Sequence, residues 1–171
     1  TGGYGAAANA GLADVRSGWA LVANPDVRFE PGAVDELLAV AERWPRAATV
    51  GPAIRTPDGR LYPSARDLPA LSTGIGHALL GWIRPDNRWT ASYRREREEP
   101  RERPAGWLSG SCFLVDLDAF HSVGGFDPGY FMYFEDVDLG ARLGERGWLH
   151  VYAPSAVVEH EGGHATSREP H

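Results

Sequence analysis

FMYFEDVDLGARL, residues 131 to 143, sets an aromatic run against three acids in four positions, Glu135, Asp136 and Asp138 around Val137. The spacing predicts a helix on which Phe131, Phe134, Val137, Leu139 and Leu143 form much of an apolar face, with Asp136 and Gly140 on other sides. A carboxylate beside that many aromatics is partly desolvated. Desolvation raises a carboxylate's pKa and a nearby cation lowers it, so such a group suits the deprotonation of a hydroxyl. Acids in a first helical turn also serve simply to complement the helix dipole, and the segment alone leaves both readings open.

Outward from this helix, Gly124 and Gly125 stop a short helix over Asp116 to Val123, and Phe126, Asp127 and Pro128 turn the chain into the acidic segment. Upstream, GWLSGSCFLV (106 to 115) reads as a strand whose small residues Ser109, Gly110 and Ser111 leave room for something to approach the backbone. Downstream, Trp148 to Tyr152 and Ala156 to Glu159 read as two short strands.

At the other end, Gly2, Gly3 and Gly5 form a flexible turn, and Ala6 to Val15 predicts a small-residue helix able to pack close to another backbone or a ligand. Its G-x-G spacing lacks a preceding strand and the rest of a dinucleotide pattern. Trp19 to Ala23 is a buried-type strand ended by Asn24, Pro25 and Asp26. Ligands of open α/β sheets sit beyond the carboxyl ends of the strands, so Asp26 lies where a catalytic or metal-binding carboxylate belongs. Asn-Pro-Asp is equally an ordinary turn. A helix follows from Pro31 to Trp44, then a strand from Ala47 to Ile54, and a turn at Thr56 to Gly59 that returns the chain through Leu61 and Tyr62 as a hairpin. Strand-and-helix units with a hairpin predict an α/β sheet with antiparallel additions.

Residues 63 to 105 are the least regular, with a helix candidate at Leu71 to Leu80. From 82 to 104 three prolines and the charge run RREREEPRER (94 to 103) predict a solvated, mobile loop of the kind used as a lid or acceptor-binding segment. Arg66, Arg94 and Arg95 could there meet an anionic diphosphate.

Bulk properties narrow the class. A chain of 171 residues, 43% hydrophobic and 23% charged, is one globular domain with a sizeable core. A net charge of -6 argues against a nucleic-acid partner. One cysteine, Cys112, allows no intrachain disulfide and fits a reducing compartment, and no apolar run approaches the roughly 20 residues of a membrane helix. The chain opens on TGGYGAAANAGL, mid-motif and without Met, so it is expected to be a piece of a longer protein.

HEGGH, 160 to 164, matches the H-E-x-x-H pattern of zinc proteases. That chemistry needs both histidines on one helix. Gly162 and Gly163 cost a helix about 1 kcal/mol each, the preceding VYAPSAVVE reads as strand, and the extended motif would put its glycine and third histidine on Ser167 and Pro170. The alternative makes His160 a single ligand at a strand end, which with a carboxylate suits Mg²⁺ or Mn²⁺ holding a diphosphate. A structural histidine is the plain reading beside it.

The ordered set GGYGAAANAG, VANPDV, WLSGSCFLV, GGFDPGYFMYFEDVDLGARL and VVEHEGGHAT resembles the family 2 inverting glycosyltransferases of the GT-A fold. NPDVRFEPGAVDELL, YPSARDLP and RPAGWLSGSCFLV resemble most closely the actinobacterial rhamnosyltransferases that act on decaprenyl-diphospho-N-acetylglucosamine. The resemblance covers nearly the whole chain outside 82 to 104. It implies a GT-A mixed sheet flanked by helices in a single partial domain over 1 to 171, with the nucleotide-binding strands before Thr1, and hence weak nucleotide binding by this piece alone.

Residue by residue, the resemblance implies that Asp26 ends a D-x-D-like metal element whose first position is Asn24, one carboxylate fewer than the family's pattern. Asp136 would be the base, and His160 a metal ligand with Asp26. Glu135 and Asp138 would cap the helix or orient the acceptor, and Trp107, Ser109, Gly110 and Ser111 would line the acceptor or donor sugar. It further implies a nucleotide-sugar donor, dTDP-rhamnose, a polyprenyl-diphosphate-linked acceptor, a need for Mg²⁺ or Mn²⁺, and a cytoplasmic place with peripheral contact at the inner membrane face. Transfer of another sugar, or a non-catalytic glycan- or lipid-diphosphate-binding role, stands as the alternative.

Overall fold

The computed structural model describes residues 3–68, 100–131 and 133–161. They form α1 (Tyr4–Leu12), β1 (Trp19–Ala23), β2 (Val27–Phe29), α2 (Ala33–Arg43), β3 (Ala47–Arg55), β4 (Leu61–Tyr62), β5 (Ala65–Arg66), β6 (Arg103–Ala105), β7 (Trp107–Leu108), β8 (Cys112–Asp116), α3 (Leu117–Ser122), α4 (Glu135–Glu145) and β9 (Leu149–His160). AATVGPAIR in β3 is buried at every residue but the last, as expected of a strand covered on both faces. It lies inside a mixed sheet of order β1-β8-β3-β9-β2, with β4 beside β3 and β6 beside β9. β3 and β9 run parallel, and the other pairings are antiparallel.

Helices cover both faces. On one, Phe113 and Val115 of β8 pack with Phe120, Phe126, Leu139 and Leu143, joined by Tyr4, Ala8 and Leu12 of α1. On the other, Leu114 of the same strand packs with Leu37, Val40 and Ala41 of α2 and with Val151 and Ala153 of β9. The alternation of β8 between the two clusters is the period-2 geometry of a strand. β5 and β7 form a separate two-stranded ribbon. This is the α/β mixed sheet with flanking helices that the sequence predicts.

Several boundaries differ from expectation. The helix predicted over 131 to 143 begins only at Glu135. Tyr133 and Phe134 turn through left-handed φ of 68° and 69°, and Phe131 and Phe134 are 64% and 68% exposed, so only Leu139 and Leu143 of the predicted apolar set are buried. Gly140 is buried too, against Trp107. The strand predicted over 106 to 115 is two, because Ser109 donates its N–H to Ser64 O at 2.8 Å and leads β7 into the ribbon rather than into β8. Conversely, the two predicted strands after Trp148 are one, β9, with a bulge where the partner of β3 jumps from Ala153 to Val157 beside Pro52. β2 was not anticipated, since three residues carry no periodicity. Of the predicted loop, 82 to 99 and the helix candidate at 71 to 80 lie outside the described residues, while Arg103 and Pro104 belong to β6.

α4 is tied to the sheet by a buried polar link. His150 Nε2 donates to Gly140 O at 2.9 Å, which leaves Nδ1 to accept from the Thr49 hydroxyl at 2.6 Å. Burial holds the imidazole below its usual 6.5. The unfolded chain therefore protonates first, and the stability conferred by this link, whole above about pH 6.5, is lost as pH falls. Denaturation followed by tryptophan fluorescence should give a lower midpoint at about pH 5 than at about pH 7, and His150→Gln should flatten that fall. Gly140→Ala would put its Cβ 2.7 Å from Trp107 Cβ and should cost about 1–3 kcal/mol by the same assay.

Candidate functional site

Asp136 sits in the first turn of α4, half-buried, with Oδ2 accepting from Gly110 N at 2.8 Å and Oδ1 from Val137 N at 2.9 Å. A Cβ at Gly110 would meet Tyr4 Cε1 at 3.4 Å and Asp136 Oδ2 at 3.5 Å, ordinary contact distances that place both groups against this residue. Tyr4 donates its hydroxyl to Gly110 O, so this residue is held through both its N–H and its carbonyl. The aromatic ring beside the carboxylates is thus Tyr4 rather than Phe131 or Phe134. Burial, then the charges of Cys112, Asp136 and Glu135, push the Tyr4 phenol well above its usual range, and it stays protonated as a donor. Burial likewise pushes the Cys112 thiol up to about 12, which makes it inert at neutral pH.

Glu135 carries the one buried side-chain oxygen among the described residues without a hydrogen-bond partner, Oε2. A buried acceptor left open costs about 1–3 kcal/mol, so it is suited to a ligand hydroxyl. Asp138 is different. Arg142 grips its Oδ2 through Nε at 2.8 Å and Nη2 at 2.6 Å and also donates to Val123 O and Gly125 O, so this acid ties α4 to the loop before it.

A second cluster forms where β1 and β9 end and β2 begins. β2 pairs Val27 with His160, which brings the neighbouring Asp26 to His160: Oδ1 to Nε2 is 3.1 Å. The Asn24 side-chain Nδ2 lies 3.3 Å from the same Nε2. Nε2 can donate an N–H to the Asp26 carboxylate or, as a lone pair, hold a cation together with it. Among the described residues no group of three or more His, Cys, Asp or Glu could hold a metal. One carboxylate and one imidazole fit Mg²⁺ or Mn²⁺ only where substrate phosphates and water complete the shell, as is usual for Mg²⁺. His160 ends a strand and His164 lies outside the described residues, so nothing places the HEGGH histidines on a helix.

The SGS loop joins the two clusters. Gly110 holds Asp136, and the next residue, Ser111, accepts the backbone N–H of Asn24 at 2.9 Å. Ser109 is buried, its hydroxyl 3.2 Å from that of Ser111, and shapes the loop from beneath. Trp107 packs its Cβ on Gly140 and its ring under Arg66. Of the residues singled out in the sequence, then, Asn24, Asp26 and His160 meet at one end of the loop, Asp136, Glu135 and Gly110 at the other. Tyr4, Thr49 and His150 were missed: each acts through a partner over a hundred residues away, which no local pattern signals.

No protein-family model matches the chain. It is 61% identical over 152 residues to the N-acetylglucosaminyl-diphospho-decaprenol L-rhamnosyltransferase of Mycobacterium tuberculosis, covering 89% of this chain and 50% of that protein. It is 45% identical over 101 residues to the rhamnosyltransferase WbbL of Escherichia coli, covering 59% of this chain and 36% of that one. The chain therefore spans about half the length, or less, of the curated relatives it matches. A crystal structure of GalNAc-T7 with UDP, GalNAc and Mn²⁺ superposes with a TM-score of 0.62 at 14% identity, over 93% of this chain and 30% of that one, a likeness of fold.

The grip on Gly110 has a measurable cost. Tyr4→Phe leaves Gly110 O without its donor and should lower stability by about 1–2 kcal/mol in urea denaturation, with near-ultraviolet circular dichroism otherwise native.

Proposed function

The chain belongs to the rhamnosyltransferase family of GT-A glycosyltransferases, and from that premise we propose that the protein transfers L-rhamnose from dTDP-rhamnose to a polyprenyl-diphospho-N-acetylglucosamine, with inversion. The observation that carries the reading is the hinge of the site on one short loop: Asp136 on Gly110, and Asn24, with the Asp26–His160 pair, on Ser111.

In this mechanism Asp136 takes the proton of the acceptor hydroxyl as that oxygen attacks the anomeric carbon. The new C–O bond forms opposite the breaking one, whose electron pair leaves with the β-phosphate oxygen of dTDP. Glu135, with its open buried oxygen, accepts a second acceptor hydroxyl and turns the sugar toward Asp136. The Gly110 N–H holds the Asp136 carboxylate in place, so little reorganisation is needed at the moment of transfer. A divalent cation held by Asp26 and His160 would neutralise the charge that develops on the leaving diphosphate. Among the described residues no helix is long and apolar enough to cross a membrane. Peripheral contact with the membrane follows, in this proposal, from the polyprenyl-linked acceptor.

The test is a donor screen on the full-length protein with a short synthetic prenyl-diphospho-N-acetylglucosamine. Transfer from dTDP-rhamnose, and not from UDP-N-acetylglucosamine or UDP-galactofuranose, is the expected result; preference for another donor would overturn the rhamnose assignment. Asp136→Asn keeps one acceptor oxygen, for Gly110 N, gives up the one for Val137 N, and should lose about 10²–10⁴ in kcat with near-ultraviolet circular dichroism otherwise native. Chelation should lower turnover and added Mg²⁺ or Mn²⁺ restore it, with Asp26→Asn and His160→Ala each weakening Mn²⁺ binding measured by calorimetry.

A further inference from the structure

Arg66 ends β5 directly opposite Trp107. Its guanidinium carbon is 5.8 Å from the centre of the Tyr62 ring and 5.7 Å from that of Trp107, inside the range of cation–π attraction for both. Nε is anchored to Pro63 O at 2.9 Å. Other arginines are occupied by acids: Arg28 by Glu161, Arg43 by Glu36 and Glu102, Arg60 by Asp58, Arg142 by Asp138. Arg66 is exposed and meets no carboxylate among the described residues, in a chain whose net charge is -6.

Stacking occupies the faces of a guanidinium and leaves its edge. With Nε donating to Pro63 O, the two Nη groups of this exposed guanidinium remain as a planar fork, the geometry that takes two oxygens of a phosphate at once. The place is also informative. Trp107 rests on Gly140, one helical turn beyond Asp136 on the same face of α4, so Arg66 stands across one indole from the segment that carries Asp136. In a sugar bonded directly to a diphosphate, the hydroxyl and the anion are separated by one hexose ring.

We propose that Arg66, held between Tyr62 and Trp107, binds the diphosphate of the lipid-linked acceptor while the sugar lies along Trp107 toward Asp136. That the anion is a diphosphate rests on the transferase reading above; the geometry of Arg66 by itself argues for a phosphate oxyanion. Arg66 thereby selects acceptors that carry their sugar on a diphosphate.

The experiment compares the full-length protein with Arg66→Ala and Arg66→Lys. Its readouts are kinetics on the synthetic prenyl-diphospho-N-acetylglucosamine and calorimetric binding of inorganic pyrophosphate without donor. Arg66→Ala should raise the acceptor KM about ten- to a hundredfold and leave the donor KM near wild type, with Arg66→Lys recovering only part because it keeps the charge and loses the fork. Octyl N-acetylglucosaminide, which has no diphosphate, should be used equally poorly by all three proteins. An unchanged acceptor KM, a matching loss on the octyl glycoside, or a rise in donor KM instead would overturn the assignment. If the wild-type protein transfers no sugar, the transferase reading fails by itself; pyrophosphate binding lost in Arg66→Ala would still support this site, and equal binding by both would sink it.

Discussion

The parallel pairing of β3 with β9, buried on both faces, is the constraint the rest obeys. β8 lies antiparallel to β3 on its other side, and β1 antiparallel to β8, so β1, β3 and β9 all point one way. Their carboxyl ends and the amino end of β8 therefore reach the same edge of the sheet. Asn24 and Asp26, Ser111, and His160 come together there because strand direction leaves them no other place. Ligands of open α/β sheets collect at this kind of edge for the same reason.

Backbone contact fixes the second half of the site. α4 approaches the β7 strand so closely that Gly140 admits no side chain, and this brings the first turn of α4 to where Asp136 accepts from Gly110 N. Gly3 plays a similar part beneath the carbonyl of Phe131, which gives the GGYG turn a packing role. The cost appears just before the helix, where Tyr133 and Phe134 adopt left-handed backbone at about 1–2 kcal/mol each while their side chains stay exposed. That turn starts the helix with Glu135 and Asp136 facing Tyr4 and Gly110 instead of solvent.

Polar groups under the site follow a strict economy. The Thr49–His150–Gly140 link is closed at both ring nitrogens, Asp138 is gripped by Arg142, and Ser109 is shared with Ser111. Against that background the Glu135 oxygen without a partner and the Arg66 guanidinium without an acid among the described residues stand out. Surface pairs such as Arg28 with Glu161 lie in water and add little by comparison.

Much was legible in the sequence. The apolar runs of β1 and β3, the amphipathic period of α2, and the turn at Thr56 to Gly59 marked their elements, because burial and turn chemistry are local properties. The acids at 135 and 136, Asp26 and His160 were visible by residue type, and the ordered motifs carried the family. Which of them meet was not. A three-residue strand, β2, sets Asp26 against His160, and a glycine peptide 26 residues upstream receives Asp136. The aromatic run beside the acids reads as a helix face, yet tertiary packing turns it outward and supplies Tyr4 in its place, since one ring reached from a distant helix fills the gap that Gly110 leaves. Sequence determined the elements and the chemistry available; the strand directions and close glycine contacts, which depend on residues far apart in the chain, decided the site.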